Sequence, residues 1–378
     1  MKKIKTGFLL LLLILLLLPL ATFRWEEDAS SEIDNRKLTH NPFTAEPAEL
    51  VQAGGIKAMG EQYLSDRLGW REQMIKTYTE INDRLFGELV HPIYAYGKDG
   101  YIYRKPEARV EYGAFHAAFV DFVAGIAAEC EARGIPFTFV LNPNKESVYP
   151  EYLPEGYCYD RAWAERLCEE LRARGVSVVD NIVTLQAARA DGEDVFNVKY
   201  DAGHWNHLGA YYGVNAILTA MQQQGADVRL NEKTDFVIRE EQQTKLPTSQ
   251  FPIDETVTVY ELPEETDWLE KEIGEKVQFD QRYHTFYYRY NQELAGGRET
   301  VNGEPPAGVP RTLCFQGSYM NVYGHTFMEN ALPVYIGVHA YENSLDYDYY
   351  LDTFAPDYVI FEVAEYAVAE RYFPLLTP

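Results

Sequence analysis

Two short motifs, far apart in the chain, together hold a nucleophile, a base and a carboxylate. Asp201 and His204 are three positions apart in the first motif, and the second motif ends an apolar run with Gly317 and Ser318. A serine hydroxyl is a poor nucleophile until an imidazole takes its proton, and a carboxylate on the other ring nitrogen fixes the tautomer of that imidazole. The residues predict nucleophilic catalysis by Ser318, with His204 as general base and Asp201 as its orienting acid.

Strand and helix patterns alternate along most of the chain. Strands are predicted over 101–103, 137–141, 176–180, 196–200, 312–315 and 357–363, and helices over 115–133, 160–174 and 208–224. This alternation predicts an α/β fold whose central parallel sheet is covered by helices on both faces. Ser318 and His204 then follow strand ends, where open α/β sheets bind their ligands.

Further side chains near these strand ends are candidates for stabilising an oxyanion or holding a substrate. Donors to an oxyanion are expected from Asn144, from Asn206 and from the backbone at Gly317 and Ser318. Lys145 either holds a substrate carboxylate or is solvated, and solvation is favoured.

Each aromatic or titratable candidate also has a structural interpretation. Ser318 is alternatively a helix cap, and His204 with Asp201 a core histidine beside a turn residue. Trp205 either stacks on a sugar ring or anchors the core, and the core is favoured. His207 competes as the base, but its position in the first turn of a helix favours a structural or substrate-binding role.

The N-terminus reads as an export signal. Lys2, Lys3 and Lys5 precede an apolar run from Gly7 to Phe23. The run approaches the ~20 residues needed to cross a bilayer, which predicts an uncleaved single-pass anchor over residues 1–23 with the rest of the chain at the bacterial cell surface. A cleaved signal peptide is the alternative.

Charge and cysteine content limit the partners and cofactors. The chain has a net charge of −24. Three of its lysines lie in the leader, so the net charge of the rest of the chain is more negative still. Phosphate backbones would repel so acidic a protein, so no nucleic-acid partner is expected. The spacing of the four cysteines predicts no metal site, no cofactor is expected, and buried thiols are at least as probable as disulfides in an exported chain.

The chain divides into an anchor, a linker and one interrupted domain. Residues 24–60 are expected to form a membrane-proximal linker and residues 61–378 the main domain. The spacing of apolar residues in 63–75 predicts one amphipathic helix. Between 226 and 308 the alternation stops in an acidic stretch, which we interpret as a β-rich insertion forming a lid or rim beside the site.

Several short motifs along the chain carry a family resemblance. They are Asn35-Arg36, Asp66 to Arg71, Tyr96 to Gly100, Pro143 to Lys145 with Val148 to Pro150, His204 to Ala210, and Gly317-Ser318. In these motifs the chain resembles the DHHW family, exported SGNH-hydrolase-like proteins related to the AlgX and AlgJ alginate O-acetylation proteins. It departs from the family pattern at Ala202, where the family has its acid, and at Gln316-Gly317, where the family has Gly-Asp before the serine.

The resemblance implies an SGNH-hydrolase-like α/β/α sandwich in which the Asp-His motif precedes the serine. It also implies transfer of acetyl groups to hydroxyls of an extracellular polysaccharide through an acetyl-serine on Ser318. The implied acetyl supplier is a membrane-bound O-acyltransferase. An acetylesterase with the same triad, or an inactive glycan-binding or scaffold protein, is the alternative.

Overall fold

The computed structural model describes residues 2–26, 29–31, 36–91, 93–105, 110–247, 251–263, 269–276, 283–301 and 305–376. Asn35, one of the residues on which the family resemblance rests, lies outside them. The chain forms two compact units. One comprises Met1–Ala95 with Gln243–Asp254, and the other comprises Tyr96–Gln242 with Glu255–Pro378.

The first unit is mainly helical. Its helices are α1 (Lys2–Ala21), α2 (Pro47–Gln52), α3 (Ile56–Arg67) and α4 (Arg71–Phe86), and its short strands are β1 (Ser30–Ser31) and β2 (Arg36–Lys37), with β3 (Tyr94–Tyr96) at its end. In the part of the chain that the structure describes, no helix combines the length and apolarity needed to cross a membrane. The single-pass anchor expected over residues 1–23 is therefore not supported, and the export signal stays a prediction.

The single helix expected over residues 63–75 is wrong, because the chain breaks between α3 and α4. Trp70 takes a left-handed conformation with φ of +63° and is 55% exposed. At Gly69 the backbone passes so close to Thr22 that an added Cβ would lie 1.9 Å from its Oγ1. A close tertiary approach thus overrides the helical periodicity.

Two of the motif residues in α3 are buried and hold the chain that precedes the helix. The Arg67 guanidinium donates to the carbonyls of Thr39 at 3.0 Å and Arg24 at 3.1 Å. The Asp66 carboxylate accepts the Thr39 hydroxyl at 2.7 Å. The Asp66-Arg67 pair therefore has a structural role in this unit.

The second unit is built on a seven-stranded sheet. Its strands are β5 (Phe137–Asn142), β6 (Ser177–Asp180), β9 (Leu269–Lys276), β10 (Tyr283–Tyr290), β11 (Arg311–Gln316), β12 (Val334–His339) and β13 (Tyr358–Ala364), in the order β6-β5-β13-β11-β12-β10-β9. The first five in this order are parallel, and β10 and β9 continue the sheet antiparallel. The parallel sheet expected from the sequence is confirmed at its centre, with an antiparallel edge.

Helices cover this sheet. They are α5 (Ala114–Ala132), α6 (Lys145–Val148), α7 (Ala162–Ala173), α8 (Asn181–Ala190), α9 (His207–Gln223), α10 (His325–Ala331) and α11 (Tyr347–Phe354). Short turns of other helical types lie at Pro150–Tyr152, Lys233–Asp235, Met320–Gly324, Tyr341–Asp346, Glu365–Ala367 and Pro374–Leu376. Helix α5 packs on α7, and α8 packs on α9. The α/β/α class is confirmed.

The remaining strands lie outside the central sheet. Strand β4 (Ile102–Arg104) pairs with β3, and β7 (Val237–Lys245) pairs with β8 (Pro252–Glu261). The strand expected over 196–200 is wrong, since those residues form a turn. Four strands, β7 to β10, do fall in the acidic stretch 226–308, but its role as a lid or rim stays a prediction.

The core lies on both sides of the parallel strands. Strands β5, β12 and β13 are almost continuously buried, and the rings of Phe119, Phe139, Phe361 and Phe373 meet edge to face or tilted. Of the four cysteines, Cys130, Cys168 and Cys314 are buried, Cys158 is exposed, and none is paired. The three buried thiols pack as small apolar groups.

Register places the ends of three neighbouring strands together. In the pairing of β13 with β5, Ala364 lies beside Asn142, and in the pairing of β11 with β13, Phe315 lies beside Phe361. Residues just beyond Asn142, Gln316 and Ala364 therefore meet at one edge of the sheet. The candidate site is built there.

Candidate active site

Ser318 lies two residues beyond β11, at the start of a helical segment that runs through the π-helical turn Met320–Gly324 into α10. The residue before it must be glycine, because a Cβ on Gly317 would lie 1.9 Å from the Tyr341 hydroxyl oxygen. The first N–H groups of a helix have no partner within the helix. Ser318 thus joins a hydroxyl to a helix N-terminus.

The three residues predicted to act together are brought into hydrogen-bonding contact. His204 Nε2 lies 2.8 Å from Ser318 Oγ, and His204 Nδ1 lies 2.7 Å from Asp201 Oδ1. The His204 side chain is 20% exposed and that of Asp201 is 9% exposed. The imidazole therefore sits between the hydroxyl and the carboxylate, as proton transfer from the hydroxyl requires.

Asp201 is held from two further sides. It adopts a left-handed backbone conformation with φ of +48°, which is uncommon outside glycine and asparagine. Tyr323 donates its hydroxyl to Asp201 Oδ2 at 3.0 Å. Because Tyr323 lies in the π-helical turn that follows Ser318, the nucleophile's own helix fixes the orienting acid. No sequence spacing pointed to this tyrosine.

Tyr366 is a second residue that the sequence did not single out. Its hydroxyl lies 2.8 Å from Ser318 Oγ, two residues beyond the end of β13. Burial raises the pKa of Tyr366, so the phenol stays protonated at neutral pH. The Arg104 guanidinium lies 4.0 Å above the Tyr366 ring. A phenol donor therefore faces the oxygen that would become the nucleophile.

Glu362 lies behind the turn that carries the serine. Its carboxyl group is fully buried in β13 and accepts the Gly317 N–H at 2.7 Å and the Asn142 side-chain amide at 2.8 Å. Burial raises the pKa of Glu362 to about 7. A lone glutamate in an otherwise apolar strand was the one signal in the sequence that pointed to it.

The loop before Asp201 is held by two ionisable side chains, Lys145, whose pKa burial lowers to about 7, and Glu255. Lys145 Nζ donates to the carbonyls of Ile102 at 2.8 Å, Asn197 at 2.6 Å and Val198 at 2.8 Å. The Glu255 carboxylate accepts the N–H groups of Val198 and Lys199, at 2.7 and 2.9 Å, and of Tyr200. Lys145 is 1% exposed, so the expectation that its side chain is solvated is wrong. The three hydrogen bonds use all three N–H donors of its ammonium group, which leaves none for a substrate carboxylate.

Three other candidates form hydrogen bonds within the fold. Trp205 is fully buried and donates Nε1 to the Tyr319 carbonyl, so it anchors the core and does not stack on a sugar. Asn206 caps α9 through the Gly209 N–H and donates to the Asp194 carbonyl. The Gly317 N–H is taken by Glu362. The Gly317 N–H is therefore not available to an oxyanion, whereas a role of Asn206 at the oxyanion stays a prediction.

His207 is half-buried between tyrosine rings, 4.7 Å from Tyr323 and 6.3 Å from Tyr260 between centroids. Burial lowers the pKa of His207 to about 4. An imidazole with so low a pKa is neutral at pH 7, and no hydrogen bond joins it to Ser318 in the described residues. The arrangement favours the structural role over proton transfer.

A cavity of about 410 Å³ opens beside this edge of the sheet. Tyr366 and Asn144 both line it, together with buried aromatic residues such as Phe115 and Trp163. Its volume falls in the range of small-molecule sites, ~300–1,000 Å³. Tyr366 thus joins the cavity to the Ser318 hydroxyl.

Comparison with protein families identifies the fold around this site. Residues 95–276 match the family model described as an SGNH hydrolase-like domain, acetyltransferase AlgX. This stretch is similar to the AlgX-type SGNH hydrolase-like domain. The relationship expected from the sequence is confirmed there. The match includes Asp201 and His204, whereas Ser318 and Tyr366 lie beyond it.

Solved structures of similar fold include Bacillus cereus PatB1 with a sulfonyl adduct, with a TM-score of 0.54, 13% identity and coverage of 72% of this chain and 95% of that chain. The O-acetyltransferase domain of Pseudomonas putida AlgJ has a TM-score of 0.48, 15% identity and coverage of 73% and 91%. A DHHW family protein from Eubacterium siraeum has a TM-score of 0.44, 15% identity and coverage of 73% and 95%. No curated protein matches the sequence.

Proposed function

We propose that the protein is a glycan O-acetyltransferase that works through an acetyl group on Ser318. The observation that carries this proposal is the unbroken hydrogen-bond chain from Ser318 Oγ through His204 to Asp201. The AlgX-type domain supports O-acetylation of a polysaccharide as the general activity. The departures at Ala202 and Gln316 leave this chain of contacts intact, which argues against an inactive scaffold.

In the first half-reaction, Ser318 Oγ attacks the carbonyl carbon of an acetyl ester or thioester donor while His204 Nε2 takes the hydroxyl proton. The tetrahedral intermediate collapses to acetyl-serine, and the imidazolium returns the proton to the leaving oxygen or sulfur of the donor. In the second half-reaction, a sugar hydroxyl attacks the acetyl carbon and gives its proton to His204. Collapse releases the sugar acetate, and the imidazolium reprotonates Ser318.

Negative charge on the acetyl oxygen needs preorganised donors. The Ser318 backbone N–H at the start of its helix is one candidate, supported by the helix dipole. The Tyr366 hydroxyl is a second, because it already contacts Ser318 Oγ at 2.8 Å. Asn144 is a third, since it lines the cavity beside Tyr366.

The partners follow from the same chemistry. The acceptor is an extracellular polysaccharide, supported by the leader that reads as an export signal. The acetyl supplier is a membrane-bound O-acyltransferase, as the family resemblance implies. A transferase and an acetylesterase share the acetyl-serine and differ only in whether a sugar hydroxyl or water resolves it.

The test is a burst assay with 4-nitrophenyl acetate combined with intact-mass detection of an acetyl adduct. The wild type should give a burst and an adduct, and Ser318→Ala and His204→Ala should lose both. Ser177→Ala, in β6 away from the site, is the matched control. Equal bursts in all four proteins would refute the proposal, and turnover that does not depend on added glycan would identify an esterase.

A further inference from the structure

The cavity beside Tyr366 carries an excess of acidic side chains. Among the residues that the structure describes, five carboxyl groups line it, those of Glu111, Glu146, Asp160, Glu365 and Glu370. The basic residues of this described lining are Arg104 and Lys105. Burial lowers the pKa of the His116 imidazole in the same wall, which therefore adds no positive charge at pH 7. The lining thus offers mainly acceptors and negative charge.

Glu365 shows how part of this lining is built. It is 3% exposed and accepts the Asn144 backbone N–H at 2.6 Å and the hydroxyls of Ser147 and Tyr159. Burial raises the pKa of Glu365 to about 7. Even with Glu365 half protonated, the carboxylates outnumber the two cations.

The position of the cavity relative to Ser318 determines which part of a ligand it would bind. Tyr366 and Asn144 line it, whereas Ser318 and His204 do not. The Tyr366 hydroxyl is nevertheless 2.8 Å from Ser318 Oγ. A group bound in the cavity therefore lies next to the reacting hydroxyl but is not itself the group that is acetylated.

We propose that this cavity is a subsite for a sugar unit flanking the acetylated one, and that it accepts neutral or amino sugars and rejects uronic acids. The inference rests on the proposed function, since it assigns the acceptor to the same site. Hydroxyl and ammonium groups donate to the carboxylates, and the aromatic walls cover the apolar faces of a sugar ring. A uronate would meet like charge in a partly enclosed space.

Binding is measured by calorimetry on Ser318→Ala, which cannot transfer acetyl groups, so the result does not depend on catalysis. The probes are glucosamine, glucose and mannuronate oligomers of equal length. We expect the glucosamine oligomer to bind most tightly, the glucose oligomer next and the mannuronate oligomer least. Mannuronate binding as tight as glucosamine binding, or no binding of any oligomer, would overturn the inference.

Two perturbations localise the binding. Glu111→Gln/Glu370→Gln should weaken glucosamine binding roughly two- to thirtyfold, because each exposed ion pair contributes about 0.2–1 kcal/mol. Glu131→Gln/Glu169→Gln removes the same charge from exposed positions outside the cavity lining and should leave binding unchanged. Equal loss in both double variants would show a general charge effect and refute the subsite.

Cys158 provides a steric test, because it is exposed and lines the cavity while the other three cysteines are buried. N-ethylmaleimide on Cys158 should abolish oligomer binding, and Cys158→Ser treated in the same way should bind normally. Unchanged binding by the maleimide adduct would refute the subsite. Acetylation of wild-type Ser318 without glycan tests the proposed function separately, so either proposal can fail alone.

Discussion

Lys145 and Glu255 hold the same loop through opposite backbone groups. Lys145 Nζ donates to the carbonyls of Asn197 and Val198, while the Glu255 carboxylate accepts the N–H groups of Val198, Lys199 and Tyr200. The loop leads directly into Asp201. These two side chains are positioning residues, since they act on the acid through the backbone and do not touch the serine.

Glu255→Gln should slow the acetylation burst while leaving the fold intact. The amide of Gln has one accepting oxygen, so its NH2 group would face backbone N–H donors. Charge-assisted hydrogen bonds worth ~1.5–3 kcal/mol are then lost, and the loop holds Asp201 less firmly. Misplacing a catalytic group by about 1 Å can cost about a hundredfold in rate. Burst kinetics and circular dichroism are the measurements. Asp254→Asn, the exposed neighbour, is the control, and equal rates in both variants would contradict the positioning role.

Tyr366→Phe tests whether the Tyr366 hydroxyl stabilises the oxyanion in the reaction or only contacts Ser318 Oγ before it. Loss of one neutral hydrogen bond costs about 1 kcal/mol, whereas loss of an oxyanion donor costs ~10²–10³ in rate. We expect the larger loss in the burst rate constant. Tyr372→Phe, whose ring lies 5.8 Å from that of Tyr366, should retain the wild-type rate. A less than fivefold loss in Tyr366→Phe would remove the phenol from the oxyanion site.

Gly317→Ala should destabilise the protein, because its Cβ would overlap the Tyr341 hydroxyl oxygen and Cζ at 1.9 and 2.4 Å. Overpacking of this kind costs ~1–3 kcal/mol or more. The same substitution at Gly125, inside α5 with open space around it, should stabilise by ~1 kcal/mol. Urea unfolding shows whether each substitution raises or lowers the free energy of unfolding. A Gly317→Ala variant as stable as the wild type would show that the turn can relax.

Buried carboxyl groups predict a stability that falls as the pH rises. Burial raises the folded-state pKa of Glu362 and of Glu365 to about 7, so their neutral forms favour the fold. This contribution is complete below the usual pKa of 4.5 and is lost as the pH rises to about 7. Each group contributes up to about 3 kcal/mol, at 1.36 kcal/mol per unit of pKa shift.

Urea unfolding at pH 5 and pH 7.5 measures this loss. Glu362→Gln cannot ionise, so the difference in unfolding free energy between the two pH values should shrink by about 2.4 kcal/mol. Exposed Glu131→Gln should keep the wild-type difference. A Glu362→Gln profile that matches the wild type would show that Glu362 is ionised in the fold at both pH values.

Local pattern predicted four of the five parallel strands and missed β12, because such patterns depend only on neighbours in sequence. Strands β5, β6, β11 and β13 and helices α5, α7 and α9 lie within two residues of their expected bounds. The position of Ser318 after β11 agrees with a rule for α/β sheets, whereas the strand expected before His204 does not form. Tyr323 and Tyr366 were missed because their roles depend on how segments distant in sequence pack together. Lys145 was misjudged because its partners belong to two other segments of the chain.

The separation of Ser318 from His204 by 114 residues has a consequence for the folding chain. Asp201 and His204 are neighbours in one loop, whereas Ser318 reaches them only after β11 has joined the sheet between β12 and β13. A partly folded chain thus contains an imidazole and a serine that do not meet. Reactivity of Ser318 reports the packing of β11 beside the His204 loop, and during unfolding it should disappear together with tertiary packing.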